Sequence, residues 1–382
     1  MMKKDKKRKF YPTAAVLLGF VGVMTAVDIF TPVKAFSEME NRDLRTESRL
    51  SVSRLISGDF QKDYETMVSD QFAGRDGWIT AKSVSESALQ KTENNGVLYG
   101  KNGAFFGKFT SYNETQLERN LYFLENFAND GHPLTFAIVP SAYEYAEDQL
   151  PLGAGQVDQR PAIAGVKETL SDNENITWFD ADAVLAAQQS EDLFYRTDHH
   201  WKGETAYLVY AALCEQMGLT PASADDLVLR EVEGFYGSYY SKCKKAGTEP
   251  DTLSFYDQPF KIHTEVLNVN MEMEEKDNWY NEEQLSARDK YGALLWGNYG
   301  LTVLSKEEVP EDPKRLLLIK DSFSNCLAPL FLSNFDEVYI VDLRSYPSGL
   351  NELCDEKDFD ETLVLYNFEN LESDTNFYRM TY

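Results

Sequence analysis

Histidine and cysteine are scarce in this chain, with four of each among 382 residues. Cys214, Cys243, Cys326 and Cys354 are scattered and show no CxxC or other zinc-type spacing, which argues against a cysteine-built metal centre. Cys214 lies in the apolar helical pattern Ala211-Ala212-Leu213, where a buried free thiol is the expectation. Positive charge is also short. The net charge is −26, and no basic footprint appears beyond the first nine residues, which excludes nucleic acid as a partner. Internal repeats and long low-complexity tracts are absent. With 43% hydrophobic residues the chain has enough apolar side chains for a sizeable core, so global disorder is excluded as well.

Long apolar runs are limited to one. After the basic residues 3–9, the stretch from Thr13 to Val27 is largely apolar, and Asp28 interrupts it before Ile29-Phe30. A basic flank followed by an apolar segment places the N-terminus inside and the following chain outside a membrane. Thr13–Thr31 reads as an uncleaved single-pass anchor with Asp28 near the outer interface. A cleaved signal is the alternative, with Val33-Lys34-Ala35 as a loose cleavage site. The expected organisation is therefore a cytoplasmic basic tail plus anchor or signal over 1–35, then an extracytoplasmic body over 36–382.

The body changes its periodicity along its length. Phe60, Tyr64, Met67, Val68 and Phe72 recur at three- and four-residue steps, predicting an amphipathic helical lead-in over 36–95. Asn94-Asn95-Gly96 reads as a turn, and Val97–Tyr99 with Ala104–Phe106 as a hairpin across Asn102-Gly103. Short continuous apolar runs follow at 135–139, 176–179, 316–319, 338–341 and 362–365, alternating with helical patterns at 114–130, 203–217 and 327–332. That alternation predicts an α/β fold with a mostly parallel sheet covered on both faces. Ligands of such sheets sit past the carboxyl ends of the strands, where Ser141, Ser322, Arg344 and Asn367 fall. Residues 225–300 break the alternation and read as an insertion.

Two of the four histidines stand beside a carboxylate in Asp198-His199-His200-Trp201. In an extended loop, side chains two apart point the same way, so Asp198 can orient His200 and fix its tautomer. The hydroxyl for such a pair is Ser322, where the run Leu316–Ile319 breaks into Lys320-Asp321-Ser322-Phe323. A serine becomes a nucleophile when a base takes its proton and a carboxylate orients that base. Backbone N–H groups at the start of a following helix would hold the oxyanion. The plain alternative is that Asp321 or Ser322 caps that helix. Two imidazoles and a carboxylate also suit zinc or iron, although adjacent His199 and His200 must splay widely to share an ion.

The tetrapeptide resembles the signature of the DHHW protein family, which is similar to the SGNH-hydrolase-like proteins of alginate O-acetylation. Further landmarks lie in the expected order at Ser37–Arg42, Asp70–Asp76, Asn95–Val97, Val139-Pro140, Trp296–Asn298, Lys320–Phe323 and Val341–Arg344. The resemblance implies an SGNH-like three-layer sandwich and a triad of Ser322, His200 and Asp198. It implies no cofactor and no metal. Gly297-Asn298 and Asn367 are the candidate oxyanion donors. Arg344 and Tyr346 are candidates to line a sugar site, and Trp201 to stack on a sugar or pack in the core. The chain departs from the family's glycine before Asp-Ser, which is Lys320 here. The implied activity is acyl chemistry, O-acetyl transfer to or removal from a cell-envelope or exported polysaccharide. An external transferase further implies a membrane partner that exports acyl groups. The reading from another class is a non-catalytic glycan-binding or scaffold protein of an export complex.

Overall fold

The computed structural model describes residues 11–188 and 192–381. The basic run at 3–9 lies outside them. The chain divides into two compact units, one of Met1–Gln90 with Lys244–Ala246 and one of Lys91–Cys243 with Gly247–Tyr382.

In the first unit, helix α1 (Pro12–Phe30) begins with proline, whose missing N–H is unused at a first helical turn. It is the one described helix long and apolar enough to cross a membrane. Its 19 residues extend about 28 Å, close to the roughly 30 Å of a bilayer's hydrocarbon core. The predicted lead-in forms helices over Val52–Ser57, Asp59–Gln71 and Arg75–Ala88. The apolar stripe stays largely uncovered, with Tyr64 at 49% and Val68 at 42% exposure. The buried residue of the middle helix is instead Asp70. Its carboxylate accepts from the Arg42 guanidinium at 2.5 and 3.2 Å and from the Arg45 N–H at 2.9 Å. Glu40 likewise pairs with Arg75, and with Lys244 at 2.6 Å. The landmark segments of this unit therefore hold it together through ion pairs.

The second unit opens with two tight antiparallel turns. Asn95 and Gly96 both adopt positive φ (50° and 72°), the geometry that an Asn-Gly hairpin turn requires. Val97–Tyr99 then pairs with Phe105–Gly107, as the sequence predicts. Helix α2 (Glu114–Asn129) starts where the Asn113 side chain accepts from the Gln116 N–H.

The centre is an eight-stranded sheet. Its strands are β1 (Leu134–Val139), β2 (Ile176–Phe179), β3 (Ile262–Leu267), β4 (Met273–Lys276), β5 (Leu301–Lys306), β6 (Arg315–Lys320), β7 (Glu337–Val341) and β8 (Glu361–Asn367). The spatial order is β4-β3-β5-β7-β6-β8-β1-β2. The run from β7 to β2 is parallel, and the edge of β5, β3 and β4 is antiparallel. This is the mixed α/β fold with a mostly parallel sheet that the apolar runs predict. Segment 225–300, expected as an insertion, supplies β3 and β4 of this sheet and both strands of the ribbon that pairs Val228–Phe235 with Asp251–Asp257.

Strand β6 shows why its run is continuously apolar. Leu316 and Leu318 join one core cluster, and Leu317 and Ile319 join another. The first cluster draws on helix Gly203–Gln216, and the second on α2 and helix Arg160–Leu170. A strand buried on both faces has no position for an alternating polar residue. The predicted helix at 327–332 is a 3₁₀ segment, Ala328–Ser333, led by Pro329.

Candidate active site

The site lies past the carboxyl ends of the parallel strands. Strand β6 ends at Lys320, and Asp321 turns the chain. The Asp321 carboxylate accepts from the Phe323 N–H at 2.9 Å, from the Asn367 N–H at 2.8 Å and from the Asn370 side chain at 2.7 Å. It thereby ties the ends of β6 and β8 together. Burial raises its pKa, against these donors. The cap engages Phe323 rather than Ser322. The chain then makes a single 3₁₀ turn, Ser322–Asn325, not the longer helix expected from the sequence.

The second half comes from the loop before helix Gly203–Gln216. A short antiparallel bridge between Phe194 and Trp201 closes it, with the Tyr195 N–H donating to the His200 carbonyl at 3.1 Å. Thr197 donates its N–H and its hydroxyl to Asp251 at 2.8 and 2.7 Å. Within the loop, Asp198 Oδ1 accepts from His200 Nδ1 at 2.5 Å and from the His200 N–H at 3.0 Å, while Oδ2 accepts from the Ser238 N–H at 2.6 Å. His200 Nε2 lies 2.8 Å from Ser322 Oγ. All three residues are buried, at 2% exposure for Asp198, 5% for His200 and 8% for Ser322. Residues 122 apart in sequence thus meet in one hydrogen-bonded row.

The direction of that row is set by charge. Burial pushes the Asp198 carboxyl up, but His199, His200 and the Ser238 N–H outweigh it and hold the group well below the usual carboxylate range. An ionised carboxylate only accepts, so Nδ1 must carry the proton and Nε2 must accept from the serine. His199 is different. Burial, reinforced by neighbouring His200 and only partly opposed by Asp198, brings it down to about 3. Its Nδ1 lies 2.7 Å from Ser238 Oγ, and its side chain is 34% exposed.

Several elements brace the row. The Trp201 indole donates to the Phe323 carbonyl at 2.9 Å, linking the histidine loop directly to the serine turn. Gly237 packs so tightly under Asp198 that a Cβ there would stand 2.2 Å from the aspartate's own Cβ. Tyr291 lies flat against His200, with ring centroids 3.7 Å apart and planes 9° from parallel, and donates its hydroxyl to the Ser322 carbonyl at 2.9 Å. Sequence reasoning missed Gly237, Ser238 and Tyr291. A glycine set between aromatics, Tyr236-Gly237-Ser238-Tyr239, was the available signal for the first two.

The other sequence candidates lie elsewhere. Trp201 is 0% exposed and stacks edge-on with Phe323, so it packs and does not offer a face to a sugar. Tyr346 is 6% exposed and belongs to a core cluster, which removes it from a sugar site. Arg344 reaches solvent but spends its guanidinium on Asp342, at 2.8 and 2.6 Å. Asn367 turns inward, donating to the Val139 carbonyl at 2.9 Å. Asn298 accepts from Lys320 Nζ at 3.1 Å. Among the described residues, no hydrogen bond joins Gly297 or Asn298 to Ser322 or His200. Lys320 is 1% exposed, and its ammonium is taken up by Asn325, Asn298 and Asp342 at 2.8, 3.1 and 3.4 Å. Burial lowers its pKa, against the pull of Asp342.

Asp198, His199 and His200 present ligand atoms within 4.8 Å of one another, which is metal-like proximity. Their chemistry fits poorly. Both Asp198 oxygens already accept N–H donors, and His200 uses both nitrogens on Asp198 and Ser322. An ion would have to displace those bonds.

Comparison with known proteins identifies a family and similar folds. The family model described as DHHW protein matches residues 134–341, a span that contains both Asp198–Trp201 and Ser322. The crystal structure of a DHHW family protein from Eubacterium siraeum superposes with a TM-score of 0.65 at 20% identity, covering 76% of this chain and 96% of that one. PatB1 of Bacillus cereus, in a structure with a sulfonyl adduct, gives 0.61 at 16% identity, covering 74% and 97%. The O-acetyltransferase domain of Pseudomonas putida AlgJ gives 0.46 at 15%, covering 73% and 93%. Among curated proteins no sequence match was found.

Proposed function

The chain belongs to the DHHW protein family, and from that premise we propose that it is an extracytoplasmic serine-dependent acyl-transfer enzyme of SGNH-hydrolase type. The observation that carries the proposal is the buried row Asp198–His200–Ser322, with contacts of 2.5 and 2.8 Å. His200 Nε2 takes the proton of Ser322 Oγ as that oxygen attacks the acyl carbon of a donor. Asp198 stabilises the imidazolium that forms, and the same proton then protonates the leaving group. An acceptor hydroxyl repeats the sequence in reverse and leaves acylated. The Ser322 N–H, which the Asp321 cap leaves unused, is the proposed oxyanion donor.

The acceptor class is a glycan hydroxyl, and the acyl group is acetyl, as the family resemblance implies. The finer fold is a three-layer sandwich, supported by core clusters fed from alternate residues of β6. Helix α1 is the proposed anchor, and the basic residues 3–9 before it support an orientation with the site outside the cell membrane. A membrane protein that exports acyl groups is the proposed partner.

The test is hydrolysis of an activated acetyl ester by the full-length protein in detergent, with Ser322→Ala and His200→Ala beside it. Turnover should fall by about 10³-fold or more in both variants. Equal turnover in all three proteins would reject the triad and return the chain to a binding or scaffold role.

A further inference from the structure

The imidazole of His200 is held on its faces as well as on its edges. On one face lies Tyr291, 3.7 Å away and 9° from parallel. His199 also lies close, at 3.8 Å and 37°. Two rings under 4 Å from the same ring cannot share one face, so His199 occupies the other. Tyr291 is itself fixed. It is 4% exposed, and it follows Lys290, whose ammonium is tied to the Leu285 and Ala287 carbonyls at 2.6 and 3.0 Å. Its hydroxyl reaches the backbone carbonyl of Ser322 at 2.9 Å. One side chain therefore touches both the base and the nucleophile's backbone, yet it takes no part in the proton transfers of the triad.

The covalent cycle makes the face contacts matter. In the resting site, edge contacts at both nitrogens orient the ring. Once Ser322 Oγ bonds to the acyl carbon it has no hydrogen to donate, and Nε2 loses that tether. The contact to Asp198 remains, and a ring held only at Cγ and Nδ1 can tilt about that edge and carry Nε2 out of line. The acceptor hydroxyl must nevertheless find Nε2 in place: its proton goes to Nε2 as its oxygen bonds to the acyl carbon, the C–Oγ bond breaks, and the proton passes to Oγ.

We propose that Tyr291 is a positioning residue for the second half of the reaction, its ring holding the His200 imidazole in line while Ser322 is acylated. The proposal rests on the triad reading. It assigns the ring to deacylation and the hydroxyl only to bracing the serine turn.

The experiment compares full-length wild type, Tyr291→Leu and Tyr291→Phe with an activated acetyl ester. Rapid mixing separates acylation from deacylation, and intact mass after quenching measures the acetyl group carried on Ser322. In Tyr291→Leu, deacylation should slow by about 10–100-fold, the order expected for a misplaced catalytic group, and acylation by much less. Acetyl-enzyme then accumulates and the burst grows. Tyr291→Phe keeps the ring and should partition like wild type. Tyr291→Met, whose unbranched side chain adapts better to the space left by the ring, gives the same comparison if the leucine variant loses its native circular dichroism. The proposal is overturned if Tyr291→Leu slows both half-reactions equally or partitions like wild type, or if Tyr291→Phe is as impaired in deacylation as Tyr291→Leu. A wild type that never carries acetyl on Ser322 would instead bring down the triad reading itself.

Discussion

Replacing Asp198 with asparagine tests the direction of the proton row. The substitution preserves shape and removes charge. In the native site Oδ1 accepts two N–H groups, from His200 Nδ1 at 2.5 Å and the His200 backbone at 3.0 Å, and Oδ2 accepts the Ser238 N–H at 2.6 Å. An asparagine has one oxygen for these two sides. If its NH₂ faces Ser238, two donors collide. If it faces His200, it meets the backbone N–H and forces Nδ1 to become an acceptor. The ring proton then moves to Nε2, where it can no longer receive the proton of Ser322. A wrong tautomer in a serine triad costs about 10⁴-fold in kcat, or roughly 5.4 kcal/mol of barrier. A buried N–H left without a partner costs a further 1–3 kcal/mol or so of stability, so the melting temperature should fall too. The assay is ester hydrolysis combined with ¹⁵N imidazole spectra, which four histidines keep simple to assign. The variant should lose activity and show the His200 proton on Nε2. Undiminished turnover in Asp198→Asn would refute the reasoning, because the carboxylate charge would then not be what sets the tautomer.

Three further outcomes are expected. His199 is held to about 3, below the ordinary histidine value of about 6.5; the unfolded chain binds its proton first, so stability is complete above about pH 6.5 and declines toward about pH 3. Melting temperatures of His199→Gln should therefore decline less steeply over that interval than those of wild type, and parallel curves would contradict the shift. Trp201→Phe removes the indole donor to the Phe323 carbonyl and should cost about 1–3 kcal/mol in urea unfolding; turnover should fall as well, since that bond links the two halves of the triad, and retained activity would show that they are aligned by other contacts. Lys320→Met leaves the Asn298 and Asn325 oxygens without their ammonium, although Asp342 keeps Arg344; a loss of about 2–4 kcal/mol is expected, and unchanged stability would mean that this buried network contributes nothing net.

What the sequence makes legible depends on how strongly burial constrains each segment. Strands β1, β2, β6, β7 and β8 are readable because the run of each stands out between helical patterns, and β6 shows the reason, with alternate residues entering two different cores. Strand β4, Met-Glu-Glu-Lys, is invisible to that logic, since its residues lie at an exposed edge and it is placed by backbone pairing to β3. Strand β3 does alternate, with Ile262, Thr264 and Val266 buried, but His263 and Glu265 stand between them, so no continuous apolar run marks it. The triad residues are legible because a carboxylate two positions from a histidine already implies its geometry. Tyr291 and Ser238 are not, since their contacts with His200 and Asp198 exist only after strands far apart in sequence assemble. The amphipathic stripe of the first unit misleads for a related reason: its periodicity is genuine, yet the side chain that is buried there is Asp70, satisfied by Arg42.

The central claim is that Ser322 is a nucleophile made reactive by His200. Treating the full-length protein with a sulfonyl fluoride and sequencing the modified peptide by mass spectrometry tests it most directly. One sulfonyl group on Ser322 is predicted, formed at least about 100-fold more slowly in His200→Ala. Labelling that spares Ser322, or that proceeds at the same rate without His200, would contradict it.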